Sequence, residues 1–213
     1  MVPSLLLLAI PSSAIHEIKA SDDVWVYHFA QDQASDEALR VWGAHEGSVA
    51  AADGGDLAFS WSMLSFDVSK VEGEVKSAKL VLFHFAEAGF TASESKEMPV
   101  EVRSAASSFE EETWDYSMHP KFVPEAGASA VFGTGWGTPS KDDNPFQFTV
   151  DLLAGPGDFR TALETAREGG KKMLGLSLTS KMRTPEGGES RVYKFYSRTN
   201  DTEFQPKLVI ETD

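Results

Sequence analysis

Large apolar side chains alternate with polar ones in short segments along most of this chain, and clusters of Asp, Gly, Asn and Pro separate the segments. A period of two places successive side chains on opposite faces of an extended strand, so the pattern demands sheets with a buried face. Residues 23–29 put Val24, Val26 and His28 on one phase and Trp25, Tyr27 and Phe29 on the other. Residues 38–42 form a second short strand. In residues 57–68, Phe59, Trp61 and Met63 alternate with Ser60, Ser62 and Leu64. Residues 79–85 are apolar on both phases, as expected of a central strand. Residues 98–104 alternate cleanly, with Val100 and Val102 predicted inward and Glu101 and Arg103 outward. Residues 146–152, 174–179, 192–197 and 206–211 complete the set.

One segment has a different period. Asp158 can cap a helix that begins at Phe159, where Phe159, Ala162, Leu163 and Ala166 recur at helical spacing, and Gly169-Gly170 stops it. Residues 110–137, with Pro120 and Pro124, are the longest irregular stretch and are expected to form a connection across one end. The acidic run Glu110-Glu111-Glu112 is expected to be a solvated rim. Gly133-Thr134-Gly135-Trp136-Gly137 reads as loop punctuation around an exposed indole. No repeat or linker divides the chain. The expectation is an all-β fold, an antiparallel β-sandwich with one short helix, spanning residues 15–213 as a single domain.

The first fourteen residues read differently. The apolar run at residues 5–10 precedes Pro11, Ser12, Ser13 and Ala14, so a signal peptide over residues 1–14 is expected, with Ser12 and Ala14 at the −3 and −1 positions. The alternatives are an early strand of the sandwich or a clipped segment of a larger chain. The run is too short to cross a bilayer, and no other stretch could, so the expected location is secreted or cell-surface.

Composition narrows the partners. The net charge is −14, with 19 Lys and Arg against 33 Asp and Glu. Nucleic acid is thereby excluded, because neutralising phosphates needs clustered cations. The absence of cysteine excludes disulfides, thiolate metal sites and a Cys nucleophile. No catalytic motif is present. His16-Glu17 and His45-Glu46 lack the second histidine of a metalloprotease helix, and no phosphate loop or nucleophile elbow occurs. A glycosidase needs only two carboxylates close together, and nothing in the sequence marks such a pair. His84, between Phe83 and Phe85, reads as a satisfied strand residue.

The side chains that suit sugar recognition are aromatic rings, for the apolar face of a pyranose, and planar donors for its hydroxyls. Trp42 and Trp136 stand next to glycines and are expected to be the most exposed indoles. Trp25 and Trp61 point either way. Arg40 lies two residues before Trp42, and Arg198 two after Tyr196, so each Arg–aromatic pair is expected to share a strand face. The candidate carbohydrate-binding residues are therefore Arg40, Trp42, Trp61, Trp136, Tyr196 and Arg198. Calcium is the ion that oxygen-rich loops would suit. Its candidate ligands are Asp22, Asp23, Asn200, Asp201 and Glu203, with Asp142-Asp143-Asn144 as a further loop.

Four ordered features give the chain a family resemblance. They are Asp22-Asp23-Val24-Trp25-Val26; Leu64-Ser65-Phe66-Asp67-Val68-Ser69 followed by Ser77-Ala78-Lys79-Leu80-Val81-Leu82; Thr113-Trp114-Asp115 with Pro120; and Phe195-Tyr196-Ser197-Arg198 followed by Pro206-Lys207-Leu208-Val209-Ile210. Over residues 18–212 this order resembles the DNRLRE domain, or carbohydrate-binding module family 96. The resemblance implies a jelly-roll-like sandwich, export, and attachment to polysaccharide within larger multidomain enzymes or surface assemblies. A structural calcium would follow from analogy with jelly-roll binding modules. The leading expectation is a non-catalytic polysaccharide-binding module that uses an aromatic- and Arg-bearing sheet face or loop end. The alternatives are a structural or adhesive cell-surface domain and a polysaccharide-degrading enzyme.

Overall fold

The computed structural model describes residues 13–27, 33–43, 59–84, 89–106, 109–138, 145–183, 191–200 and 203–213. The strands are β1 (Ala14–Lys19), β2 (Asp22–Val26), β3 (Ala38–Val41), β4 (Trp61–Asp67), β5 (Val75–His84), β6 (Val100–Ser104), β7 (Val131–Gly135), β8 (Phe146–Asp151), β9 (Met173–Ser180), β10 (Tyr193–Tyr196) and β11 (Lys207–Thr212). They form two antiparallel sheets. In the first, β5 is flanked by β8 on one side and, on the other, by β11 and then β10; β1 extends β11 and β3 extends β10. The second has the order β2-β4-β9-β6-β7. The all-β sandwich read from the sequence is the fold, and β5 holds the central place expected of residues 79–85.

The two sheets enclose one main core. Leu64 and Phe66 of β4, Leu174, Leu176 and Leu178 of β9, Leu80 and Leu82 of β5, and Tyr193 and Phe195 of β10 all meet there. Each is a member of the inward phase of its strand, and each contributes about 1.5–3 kcal/mol on burial. One corner is stitched by main chain. Trp42 and Ser60 exchange backbone hydrogen bonds of 3.2 and 2.8 Å, and the Ser60 and Ser62 hydroxyls both donate to the Arg40 carbonyl. On the opposite side β7 lies directly on β8. A Cβ at Gly133 would sit 2.0 Å from the Asp151 carbonyl oxygen, and one at Gly135 would sit 2.6 Å from the Phe148 ring. Gly133 and Gly135, read as loop punctuation, are therefore strand residues, and lack of a side chain lets the sheets touch.

The outer face of the second sheet is covered. Val24, Val26, Trp61 and Met63 form a second apolar cluster with Phe59, Phe109 and Phe122, and Trp114 packs against it. The irregular stretch 109–130 is thus a lid on β2 and β4. Arg103 points outward, on the phase opposite Val100 and Val102, but the lid buries it; its guanidinium donates to Thr179 Oγ1 and to the carbonyls of Glu125 and Gly127, and pairs with Glu101 at 2.6 Å. Glu111, expected in a solvated rim, is buried as well, while Glu110 and Glu112 are exposed.

Among the described residues two α-helices stand where one was expected. Helix α2 (Phe159–Glu168) begins at its Asp158 cap and ends at Gly169 as read, and buries Phe159 and Leu163. Helix α1 (Ala92–Glu97) was missed. Its start is a capping box in which Thr91 Oγ1 accepts from the Glu94 amide and the Glu94 carboxylate accepts from the Thr91 amide. The N-terminal reading falls mostly on residues outside those described; Ala14 is the first residue of β1, paired with Thr212. No helix among the described residues is long and apolar enough to cross a membrane.

Candidate functional site

With the second sheet lidded, the first presents the broad open face among the described residues. Strand alternation points Lys79, Val81 and Phe83 of β5, Gln147 and Thr149 of β8, Lys194 and Tyr196 of β10, and Arg40 of β3 away from the core. All of them are half-buried or exposed. Three rings cluster among them. Phe204, in the turn before β11, lies 5.2 Å from the Phe83 ring and 5.5 Å from the Tyr196 ring, centroid to centroid. Lys194 and Arg40 are direct cross-strand partners beside this cluster, and Phe83 is the cross-strand partner of Gln147. Burial, and then the like charge of Arg40, pull the Lys194 ammonium below its ordinary range. The result is an aromatic strip with the Lys194 ammonium at one end and amide and hydroxyl groups at the other. Such a face can stack the apolar side of a sugar ring and hydrogen-bond its hydroxyls.

Two of the proposed Arg–aromatic pairs are rearranged. Arg40 does not stand with an exposed Trp42. Trp42 is 6% exposed, so the expectation that it would be among the most exposed indoles is overturned. It packs 6.1 Å from Trp25 inside the corner. The Arg40 guanidinium lies over Trp25 instead, 4.5 Å from the ring centroid, and pairs with Asp36, which also accepts from Trp25 Nε1. Trp61 is 1% exposed and stacks on Phe59 beneath the lid, so it presents no ring to a ligand. Tyr196 keeps its place on the open face. Arg198 does not share it: the chain turns after β10, and the guanidinium pairs with Glu111. His84 is satisfied as expected, accepting from the Lys194 amide at 3.0 Å.

The metal candidates converge on a different kind of centre. Asp22 Oδ1 accepts from the Glu111 amide, Asp23 Oδ2 from the Arg198 amide, and Glu111 Oε2 from the Asp23 amide. Glu111 Oε1 accepts from the Thr199 hydroxyl. The Gln205 side-chain amide donates to the Arg198 and Asn200 carbonyls and so fixes the turn. These carboxylates are already occupied by amide donors and one guanidinium, and Arg198 supplies the positive charge that a cation would bring. Among the described residues no group of three or more His, Asp or Glu is placed to hold a metal. Glu203 is exposed and makes no part of the knot; Asp201 and Asp142-Asp143-Asn144 lie outside the described residues.

Sequence reasoning missed Phe83, Phe204, Lys194 and Gln147. Phe83 was visible in the second apolar phase of residues 79–85, where an outward ring and a doubly covered strand look alike. Phe204 lies in a turn, which has no period to read. Trp136, 55% exposed, is the indole that emerged where predicted. An open groove of about 450 Å³ lies between α2 and the β6–β9 side, lined by Ala162, Ala166, Lys171, Lys172, Met173 and Leu174. It has no aromatic wall.

These features define a β-sandwich with one lidded sheet and one open, aromatic-bearing sheet. Compared with known proteins, the chain matches no family model. No curated protein matches it either.

Proposed function

We propose that this chain is a non-catalytic polysaccharide-binding module whose contact surface is the open sheet face around Tyr196, Phe204 and Phe83. The observation that carries this reading is the ring cluster itself. Three half-exposed aromatic groups sit together on the outer face of a sheet, next to Lys194 and Arg40. A strip of this kind loses little entropy on binding, because its members are fixed by strand pairing or by mutual packing. The ordered motifs that resemble carbohydrate-binding module family 96 point to the same class of partner, and export to the cell exterior goes with it.

The test is electrophoresis through gels that contain neutral or acidic polysaccharides, with and without chelator. Retardation by at least one polymer is expected, and Tyr196→Ala should weaken it roughly tenfold, equivalent to ~1.4 kcal/mol. A lack of retardation on every polymer would overturn the reading. It would favour a structural or adhesive domain, for which the exposed Ile15 (69%) on edge strand β1 is the feature to pursue.

A further inference from the structure

Trp136 stands apart from the open sheet face, just beyond the end of β7, and is one of two large apolar side chains exposed to solvent among the described residues. An exposed indole on a mobile loop would need no explanation. This one is mounted rigidly. The next residue, Gly137, donates from its amide to Ser95 Oγ at 2.9 Å, and the same hydroxyl lies 3.0 Å from the Gly137 carbonyl oxygen and 2.8 Å from the Tyr193 hydroxyl. Ser95 is fully buried. Burial pushes the Tyr193 hydroxyl up to about 12, against the Ser95 hydrogen bond, so it remains a protonated donor at any working pH. It donates to the Met98 carbonyl at 3.1 Å. On either side of the indole, Gly135 and Gly137 lie flush on Phe148 and Phe146, where a Cβ would come within 2.6 and 2.7 Å of a ring carbon.

The helix across from the indole is fixed too. The Thr91 capping box sets its first turn, and Glu94 is paired with Arg191 from the segment before β10. That docking places Lys96 Nζ 5.9 Å from the Trp136 ring centroid. The ammonium group sits over the exposed indole, so the pair presents an aromatic ring together with three hydrogen-bond donors. A flat apolar surface with adjacent hydrogen-bond donors is what one pyranose ring requires.

We infer that Trp136 and Lys96 form a second saccharide subsite, separate from the Tyr196 face, so that the module holds its polymer at two points. This inference rests on the polysaccharide reading above and adds bivalency to it. Two-point attachment raises apparent affinity for a long chain without any new contact, because the second contact forms within the complex.

The experiment compares the wild type with Trp136→Ala, Trp136→Phe and Tyr196→Ala. Each is run on the polymer that retards the wild type, and near-ultraviolet circular dichroism confirms the fold of each. Trp136→Ala is expected to weaken retention on the polymer by about tenfold or more. Trp136→Phe should recover part of the loss. Ligand addition should alter tryptophan emission in the wild type and in Tyr196→Ala, and the change should shrink in Trp136→Phe. Unaltered retention and an unaltered emission response in folded Trp136 variants, with Tyr196→Ala still weakened, would overturn the second subsite and leave the function standing. Failure of the wild type to bind any polymer would overturn both.

Discussion

At the scale of single residues, the knot that buried Asp23 and Glu111 form with half-buried Arg198 is the most consequential polar feature outside the binding face. It ties β2 to the lid and to the turn after β10, three segments far apart in sequence. Its members show how unevenly such features can be read. In the sequence, Asp22-Asp23 and the turn at Asn200 are places where oxygen ligands gather, and the fold does bring them together. Glu111 reads as part of a solvated rim, because three consecutive acids carry no signal of which one turns inward. Burial raises the Asp23 carboxyl well above its ordinary range; the Arg198 amide opposes this, and the charge of Glu111 adds to it. A carboxyl whose pKa is higher in the folded state binds its proton more tightly there. Its contribution to stability is therefore full below the unfolded pKa and is lost as pH rises through the folded value. Asp23→Asn keeps an oxygen acceptor for the Arg198 amide and removes that titration. Urea unfolding across pH should show the variant gaining on the wild type from about pH 4 upward, relative to the ordinary carboxyl value. A difference in stability that does not change with pH would contradict this account.

At the scale of elements, alternation revealed the strands that carry large side chains, and it failed where side chains are missing or the element is short. Residues 146–152 were legible because Phe148 and Val150 alternate with Gln147, Thr149 and Asp151. β7 was not, since Gly133 and Gly135 contribute nothing to an apolar period. Helix α1 spans less than two turns, too short for periodicity, although Thr91 and Glu94 stood at capping-box spacing in the sequence. The candidate site was legible in part for the same reason: Lys194 and Tyr196 alternate on a readable strand, while Phe204 lies in a turn. The glycines of β7 also make a prediction. An alanine methyl at Gly133 would meet the Asp151 carbonyl at 2.0 Å, a main-chain atom held in the β5–β8 ladder. Relief requires moving β7 off β8, which should cost about 2–3 kcal/mol. At Gly170, by contrast, an added Cβ meets nothing within 4 Å. Thermal melts should therefore show Gly133→Ala lowered by several degrees and Gly170→Ala within about 0.5 kcal/mol of wild type. Equal melting temperatures for the two variants would show that close packing of β7 on β8 does not hold the sheets together.

At the scale of the whole molecule, charge and architecture are distributed unequally. One sheet is sealed by the lid of residues 109–130, and the other is left open with Lys79, Lys194, Lys207 and Arg40 on or beside its aromatic strip. The chain as a whole carries a net charge of −14, so most of the remaining surface must be acidic. Such an excess keeps the molecule apart from others of its kind and also strains the compact state by self-repulsion. The local ion pairs do not relieve that strain, because each carries one acid and one base and leaves the net charge unchanged. Screening does. Raising ionic strength from about 0.01 to 0.15 M shortens the Debye length from roughly 30 to 8 Å, below the separation of many surface acids but above that of a hydrogen-bonded pair. The unfolding midpoint is expected to climb over this range by a few degrees, the order of ~1 kcal/mol for a chain of this size. Chloride salts of different monovalent cations should act alike, since screening depends on ionic strength and not on the identity of the ion. A midpoint that falls with salt would mean that the paired charges, Arg198–Glu111 and Arg103–Glu101 among them, outweigh the repulsion of the acidic surface.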